Sequence, residues 1–158
     1  MFPNELTELA RDTLERLRAE RRTLATAESC TGGLISALLT EIPGSSDVFT
    51  HGFITYANAA KTSMLNINPS LIAVHGAVSA EVARLMAQHA QRASGADIAV
   101  AVTGIAGPGG ATAEKTVGLV HIATARADGT ITHAEHHFTG DRTAVRLQAV
   151  RAALAMVG

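Results

Sequence analysis

The segment from residue 23 to residue 39 constrains the fold more than any other part of the chain. A short apolar run, Thr23–Ala27, predicts a buried strand, and Leu34–Leu39 predicts a helix. Only Glu28–Gly33 connects the strand and the helix, so the strand must run directly into a tight turn, after which the helix begins. Strands that alternate with helices in this way are typical of layered α/β domains.

The turn itself combines nucleophilic and small residues, namely Ser29, Cys30, Thr31, Gly32 and Gly33. A strand-to-helix turn exposes backbone N–H groups at the positive end of the helix dipole, where they can bind an oxyanion or a phosphate. A hydroxyl or thiol held beside these donors could act as a nucleophile. The same residues are also compatible with a purely structural role, in which Ser29 or Thr31 caps the helix and the glycines allow close packing.

The rest of the chain continues the alternation. Helical patterns occupy residues 4–20, 58–65, 69–75, 79–94 and 141–157, and β-rich runs occupy residues 48–56, 98–102, 117–126 and 130–138. Asp128-Gly129 between the last two runs is a strong hairpin signal. We therefore predict one layered α/β/α domain over residues 1–158, with a mixed, mostly parallel sheet that includes one C-terminal antiparallel hairpin. If their strands are parallel, the turns after Ala27 and Val102 share the edge where such sheets carry their sites.

Composition argues against several kinds of partner. The formal net charge is −1 and no Lys/Arg stripe with interleaved aromatics occurs, so we do not expect nucleic acid binding. The first 20 residues lack a signal-peptide pattern, and apolar runs such as Ile98–Val102 are too short to span a bilayer. The single cysteine, Cys30, excludes an internal disulfide and fits a reducing compartment. We expect a cytoplasmic protein without membrane association, and the Ala-rich helices allow a homo-oligomer, for which we guess a dimer.

Two side chains outside the turn could take part in chemistry. Lys61 lies on a predicted helix, where a lysine is ordinarily solvated, but burial would lower its pKa and let it act as a base. Tyr56, the only tyrosine, would pack in its strand or offer a hydrogen bond or a ring face for a cation. The glycine-rich segment Gly104–Gly110 could cradle an anion through its amides. It matches neither the phosphate loop of nucleotide triphosphatases nor the dinucleotide-binding fingerprint.

Other nucleophile and metal patterns are weaker. His133, His136 and His137 would divide between the two faces of a strand and have no acidic or cysteine partners at ligand spacing, so an exposed strand explains them better than a metal site. Cys30 competes with Ser29 as a nucleophile, but no histidine at a telling spacing supports a Cys–His pair. No Gly-x-Ser-x-Gly elbow is present to support a Ser–His–Asp triad.

Six separated stretches together resemble one family, the CinA C-terminal domain family, whose enzymatic members are nicotinamide-nucleotide amidases of the PncC type. The matching stretches are Thr26–Gly33, Tyr56–Lys61, Gly76–Ser79, Thr103–Gly110, Lys115–Gly118 and Gly140–Arg142. Their order and spacing cover nearly the whole chain. The sequence departs from the family at Thr116, where Pro is common, and at Ala57, where Ser is common.

This resemblance implies hydrolysis of the carboxamide of nicotinamide mononucleotide to nicotinate mononucleotide and ammonia, a pyridine nucleotide salvage reaction that needs no metal or organic cofactor. It implies Ser29 as the nucleophile and Lys61 as the general base, with Tyr56 orienting Lys61 or facing the pyridinium ring. The substrate-binding residues that we predict with it are Cys30, Thr31, Gly32, Gly33, Asn58, Thr103, Gly104, Gly107 and Arg142. Among these, the amides from Cys30 to Gly32 would receive the oxyanion, and Arg142 would bind the 5′-phosphate.

Three alternatives remain open from the sequence. The same pocket could hold a nucleotide without turnover, as a regulatory domain. It could also serve an amidase for another small carboxamide. The family name suggests a role in DNA uptake or repair, but the nearly neutral net charge of the chain gives that role no support.

Overall fold

The computed structural model describes residues 1–158 and places a five-stranded sheet between two layers of helices. The strands are β1 (Leu24–Glu28), β2 (Phe49–Ile54), β3 (Ile98–Gly104), β4 (Leu119–Arg126) and β5 (Ile131–His137). The helices are α1 (Asn4–Ala19), α2 (Leu34–Thr40), α3 (Asn58–Leu65), α4 (Pro69–His75), α5 (Ala80–Ser94) and α6 (Arg142–Val157), with a 3₁₀ turn at Ser45–Asp47. None of these helices is both long enough and apolar enough to cross a membrane.

The sheet is mixed. Its strand order is β2-β1-β3-β4-β5; β1 pairs in parallel with β2 and β3, whereas the β3–β4 and β4–β5 pairs are antiparallel. The β4–β5 hairpin turns at Asp128-Gly129, where Gly129 adopts a φ of +91°. The predicted layered α/β class, the mixed sheet and the C-terminal hairpin are thus confirmed. Because β1, β2 and β3 run in the same direction, the connections that follow them meet at one edge of the sheet.

Side-chain size differs sharply between the two faces of the sheet. In β3, Val100 and Val102 belong to the core beneath α1, α2 and α6, whereas Ala99 and Ala101 belong to the core beneath α5. The continuous apolar run of β3 is buried on both faces, as expected of a central strand. Small residues on the α5 side let that helix approach the sheet closely, so a chain with only 3% aromatic residues still fills its core.

The histidines of the hairpin are not the exposed strand residues that the sequence indicated. His133 is half-buried, its Nε2 lies 2.9 Å from Nδ1 of His121, and the two rings stack with centroids 5.2 Å apart. Burial lowers the pKa of both imidazoles. His136 is also half-buried and stacks on Phe138, and only His137 is exposed. No three His, Cys, Asp or Glu side chains converge in a way that would hold a metal ion.

Candidate active site

A pocket of about 290 Å³ lies at the carboxyl edge of β1, β2 and β3. All of the predicted site residues line it except Thr31, Gly32 and Gly33. The turn after β1 contributes Ser29, the connection after β2 contributes Tyr56, and the glycine-rich loop after β3 forms the opposite wall. The parallel pairing of three strands therefore brings together stretches that are far apart in sequence.

Ser29 and Lys61 are in direct contact inside this pocket. Nζ of Lys61 lies 3.1 Å from Oγ of Ser29 and 2.9 Å from the carbonyl oxygen of Thr55. The side chains are almost sealed from solvent, with Lys61 1% exposed and Ser29 8% exposed. Lys61 takes part in none of the ion pairs of the protein. Burial without a carboxylate partner lowers the pKa of the Lys61 ammonium, which makes the neutral amine accessible as a proton acceptor.

Cys30 is a poor competitor for the role of nucleophile. Its thiol lines the same pocket but is only 6% exposed. Burial raises its pKa to about 11, so the thiol stays protonated near neutral pH. The protonated thiol behaves as a small apolar surface beside Ser29.

Glu28 occupies the helix N-terminus that the sequence assigned to the substrate. This fully buried carboxylate accepts hydrogen bonds from the amides of Gly33, Ile35 and Ser36 and from the Ser36 hydroxyl, at 2.8–3.1 Å. The amide of Gly32 donates to the Ser29 carbonyl at 3.0 Å. The amides of Gly32 and Gly33 already have partners within the protein and neither residue lines the pocket, so the structure gives the predicted role of these two glycines no support.

Two amides of the turn remain without a protein acceptor, those of Cys30 and Thr31. The side chain of Thr31 is fully buried outside the pocket, and its hydroxyl has no hydrogen-bond partner. Neither the side chain nor the amide of Thr31 reaches the pocket, since the whole residue is 0% exposed and does not line it. Of the three amides predicted to receive the oxyanion, only that of Cys30 belongs to a residue that lines the pocket.

A second group of polar side chains fixes the wall formed by residues 75–79. The hydroxyl of Thr103 donates to the carbonyl of Ala77 at 2.8 Å, so this predicted substrate ligand is already used within the protein. Nζ of Lys115 donates to the carbonyls of His75 and Val78 at 3.2 and 2.6 Å. Sequence reasoning gave Lys115 no role, although its place in the Lys115–Gly118 stretch that matches the family pattern was a signal.

The two loops at the mouth of the pocket are joined by Arg142. Its Nη1 donates to the carbonyl of Gly107 at 2.8 Å, and its Nη2 donates to the hydroxyl of Tyr56 at 2.9 Å. The Tyr56 hydroxyl pairs with Arg142 and Lys61 is held by Ser29 and Thr55, so no hydrogen bond joins Tyr56 to Lys61, and of the two predicted roles the contact with the pyridinium ring is the better supported. The Tyr56 side chain is 58% exposed, so one face of its ring can still receive a ligand.

Arg146, one turn further along α6, holds the turn that carries Ser29 from outside the pocket. Its Nε donates to the carbonyl of Cys30 at 3.1 Å and its Nη2 donates to the carbonyl of Thr31 at 3.0 Å. The sequence places Arg142 and Arg146 four residues apart, on one face of a helix, and this spacing was the available signal.

Known proteins share this framework. Residues 6–158 match the family model for the CinA C-terminal domain. The chain belongs to the CinA C-terminal domain family. A protein named nicotinamide-nucleotide amidohydrolase PncC, from Enterobacter agglomerans, is 48% identical over 149 residues, which are 94% of this chain and 91% of that protein.

Longer relatives and solved structures agree with this assignment. A CinA-like protein from Geobacter sp. (strain M21) is 55% identical over 82% of this chain. The matched region is 31% of that protein, so the chain spans about a third of the length of such relatives. The crystal structure of a competence/damage-inducible protein from Agrobacterium tumefaciens superposes with a TM-score of 0.97 at 49% identity, covering 99% of this chain and 96% of that one. The family resemblance inferred from the sequence is confirmed.

Proposed function

We propose that this protein hydrolyses the carboxamide of nicotinamide mononucleotide to nicotinate mononucleotide and ammonia, a reaction of pyridine nucleotide salvage. The observation that carries the proposal is the buried contact of 3.1 Å between Ser29 Oγ and Lys61 Nζ in a pocket at the sheet edge. The similarity to the protein named nicotinamide-nucleotide amidohydrolase supports the choice of substrate. A pocket of about 290 Å³ is at the small end for ligand sites, which favours a mononucleotide over a dinucleotide.

In the first half of the reaction, Ser29 becomes acylated. Neutral Lys61 takes the proton of the serine hydroxyl while Oγ attacks the carboxamide carbon. The negative charge that develops on the former carbonyl oxygen is stabilised by the amide of Cys30, which contributes about 3 kcal/mol if it is well placed. Lys61 then gives its proton to the nitrogen, the C–N bond breaks, and ammonia leaves.

In the second half, water releases the product. The amine of Lys61, again neutral, removes a proton from a water molecule that attacks the ester carbon. The C–O bond to Ser29 breaks, and Lys61 returns the proton to the serine oxygen. The cycle needs only one titratable group because Lys61 alternates between base and acid, which is efficient when its pKa lies close to the working pH.

A cationic pyridine ring would act on the proton equilibrium of Lys61. The pyridinium charge would disfavour the Lys61 ammonium and hold its pKa lower still in the complex. The exposed ring of Tyr56 offers a π face for that cation, and the protonated Cys30 thiol adds no competing charge. Arg142 is the candidate for the 5′-phosphate, which would take the place of the Tyr56 hydroxyl on its guanidinium.

The test is ammonia release from nicotinamide mononucleotide by the purified protein, beside the variants Ser29→Ala, Lys61→Ala and Cys30→Ala. We expect losses of at least about 1,000-fold in kcat for the first two variants and a change of less than about 3-fold for the third. Cys30→Ala is the matched control because it alters the neighbouring pocket residue without touching the pair. A collapse of activity in that variant would contradict the assignment of Ser29 as nucleophile.

A substrate panel separates the alternatives. Nicotinamide, nicotinamide riboside and nicotinamide mononucleotide differ only in the sugar and phosphate, so their kcat/KM values report whether Arg142 is used. Equal rates on all three would point to an amidase for another small carboxamide. Calorimetric binding of the mononucleotide without any ammonia release would make the protein a nucleotide-binding module.

A further inference from the structure

One wall of the pocket belongs to the connection between α4 and α5. Ala77 and Val78 line the pocket there, and neither residue lies in a helix or a strand. Their amides donate to no acceptor within the protein. Because backbone pairing does not fix this part of the wall, its position depends on side chains that reach it from other segments.

Side chains hold the carbonyls of this connection. The four successive carbonyls of residues 75–78 each accept a hydrogen bond from a side chain. The two inner carbonyls accept from the neutral hydroxyls of Ser79 and Thr103, both at 2.8 Å. The first and the last accept from Nζ of Lys115, at 3.2 and 2.6 Å. Lys115 therefore holds both ends of the wall.

The Lys115 ammonium acts on the wall from outside the pocket. Lys115 does not line the pocket and takes part in none of the ion pairs of the protein. Its Nζ would lie 2.8 Å from a Cβ added at Gly76, so the ammonium packs directly against the wall backbone. The carbonyl of His75 ends α4, where the helix dipole favours a cation.

We propose that Lys115 is a positioning residue that holds Ala77 and Val78 in place for contact with the non-reacting part of the substrate, without touching the substrate itself. Lys115 lies five residues beyond the glycine-rich loop that forms the opposite wall, so it ties the two walls of the pocket together. The inference rests on the proposed function in one respect, since it requires a substrate to occupy this pocket. It does not require that substrate to be nicotinamide mononucleotide.

The contacts of the reacting pair predict which kinetic constant responds. Lys61 is held by Ser29 and by the carbonyl of Thr55, and neither contact involves the wall. A displaced wall therefore weakens the binding of ground state and transition state alike, while the proton transfer between Lys61 and Ser29 proceeds as before. Loss of such uniform binding raises KM and leaves kcat unchanged.

The experiment compares Lys115→Met with Gly129→Ala in steady-state hydrolysis, at a temperature where both variants are folded. We expect Lys115→Met to raise KM about 10-fold while kcat changes less than about 3-fold. Gly129→Ala is the matched control, because its hairpin follows β4, which runs antiparallel to β3 and so ends at the sheet edge opposite the pocket. It should leave both constants near the wild-type values. An unchanged KM in Lys115→Met would overturn the inference.

Chemical rescue distinguishes the hydrogen-bonding ammonium from a merely space-filling side chain. Alkylation of Lys115→Cys with 2-bromoethylamine rebuilds a lysine-like side chain of the same length, whereas iodopropane adds an uncharged chain of equal length. The other cysteine, Cys30, is buried with its pKa raised to about 11 and should react slowly. We expect only the aminoethyl group to return KM close to the wild-type value. Equal rescue by both groups, or by neither, would overturn the inference.

Two fluorophosphonates separate this inference from the proposed function. With each probe, Ser29 Oγ forms a bond to phosphorus and fluoride leaves, but one probe carries only small alkyl groups and the other a benzyl ring. We expect Lys115→Met to slow labelling by the benzyl probe about 10-fold and by the small probe less than about 3-fold.

The two hypotheses then fail separately. This labelling pattern in a protein that does not hydrolyse nicotinamide mononucleotide would support the inference and refute only the substrate assignment. Hydrolysis by the wild-type protein with an unchanged KM in Lys115→Met would refute only the inference. Equal effects of Lys115→Met on the two probes, or no labelling of wild-type Ser29 by the benzyl probe, would also overturn it.

Discussion

Replacing Lys61 by methionine should abolish activity and yet stabilise the fold. The Lys61 side chain is 1% exposed, has no carboxylate partner, and makes two hydrogen bonds where an ammonium can donate three. Methionine has nearly the same length and volume and carries no charge. The folded protein would therefore lose a poorly solvated cation and keep its packing.

The expected size of this effect follows from two opposing terms. Replacing buried ionic groups by well-packed apolar ones typically stabilises a protein by about 1–4 kcal/mol. Leaving the Thr55 carbonyl without its donor costs about 1 kcal/mol. We expect a net gain of about 2 kcal/mol at pH 6–7, which for a chain of this length raises Tm by about 6 °C.

The stability of the wild-type protein should depend on pH through Lys61. The pKa of Lys61 in the folded protein lies below its ordinary value of 10.5. Between these two pKa values the unfolded chain binds one proton more than the folded protein, so the free energy of unfolding of the wild-type protein rises with pH. Below the folded-state pKa the destabilisation by Lys61 has reached its full size. Lys61→Met lacks this dependence. The advantage of the variant should therefore shrink as the pH is raised from 7 towards 10.

Thermal unfolding of wild-type protein, Lys61→Met and Lys115→Met at several pH values from 6 to 10 measures this directly. Lys115 is the matched control because it is the only other lysine and is held by two carbonyls while half-buried. Its loss should lower stability by about 1–2 kcal/mol at every pH. A Lys61→Met variant that is less stable than wild type at pH 7, or whose advantage persists unchanged at pH 10, would refute the idea of a strained buried ammonium.

Three further predictions concern other parts of the structure. Gly118→Ala should prevent folding or lower Tm by more than about 10 °C, because the added Cβ would collide with a backbone carbonyl. Gly129→Ala is the control: it has nearly the same positive φ but lies in open space, and it should cost only about 1 kcal/mol of stability. Similar melting curves for the two variants would contradict this. Iodoacetamide should label Cys30 of the native protein roughly 100-fold more slowly than a free cysteine peptide at pH 7.5, because burial raises the pKa of the thiol to about 11. Labelling as fast as that of the peptide would show an exposed thiolate and contradict the prediction. Glu28→Gln should lower the free energy of unfolding in urea by at least about 3 kcal/mol, because the side-chain amide of glutamine would meet four hydrogen-bond donors that now bind a carboxylate. An unchanged urea midpoint would argue against the buried carboxylate as the group that holds the start of α2.

The sequence by itself determined the helices and strands and most of the turns that carry the predicted site residues. Apolar runs with a period of two or near 3.6 identify strands and helices because burial of one face is a local property of the chain. The Asp-Gly hairpin and the turn that carries Ser29 were predicted for the same reason, since each depends on residues that are neighbours in sequence. The continuous apolar run of β3 indicated a central strand, and its pairing with β1 brought two predicted turns to one edge.

Only the tertiary structure decided which polar groups are already satisfied within the protein. Glu28 takes the amides that the sequence offered to the substrate, Arg142 takes the hydroxyl of Tyr56, and Arg146 reaches the turn from the last helix. Each of these contacts joins elements whose relative position depends on the packing of the whole domain. The lowered pKa of Lys61 is of the same kind, because desolvation depends on every group around the ammonium and not on its place in a helix.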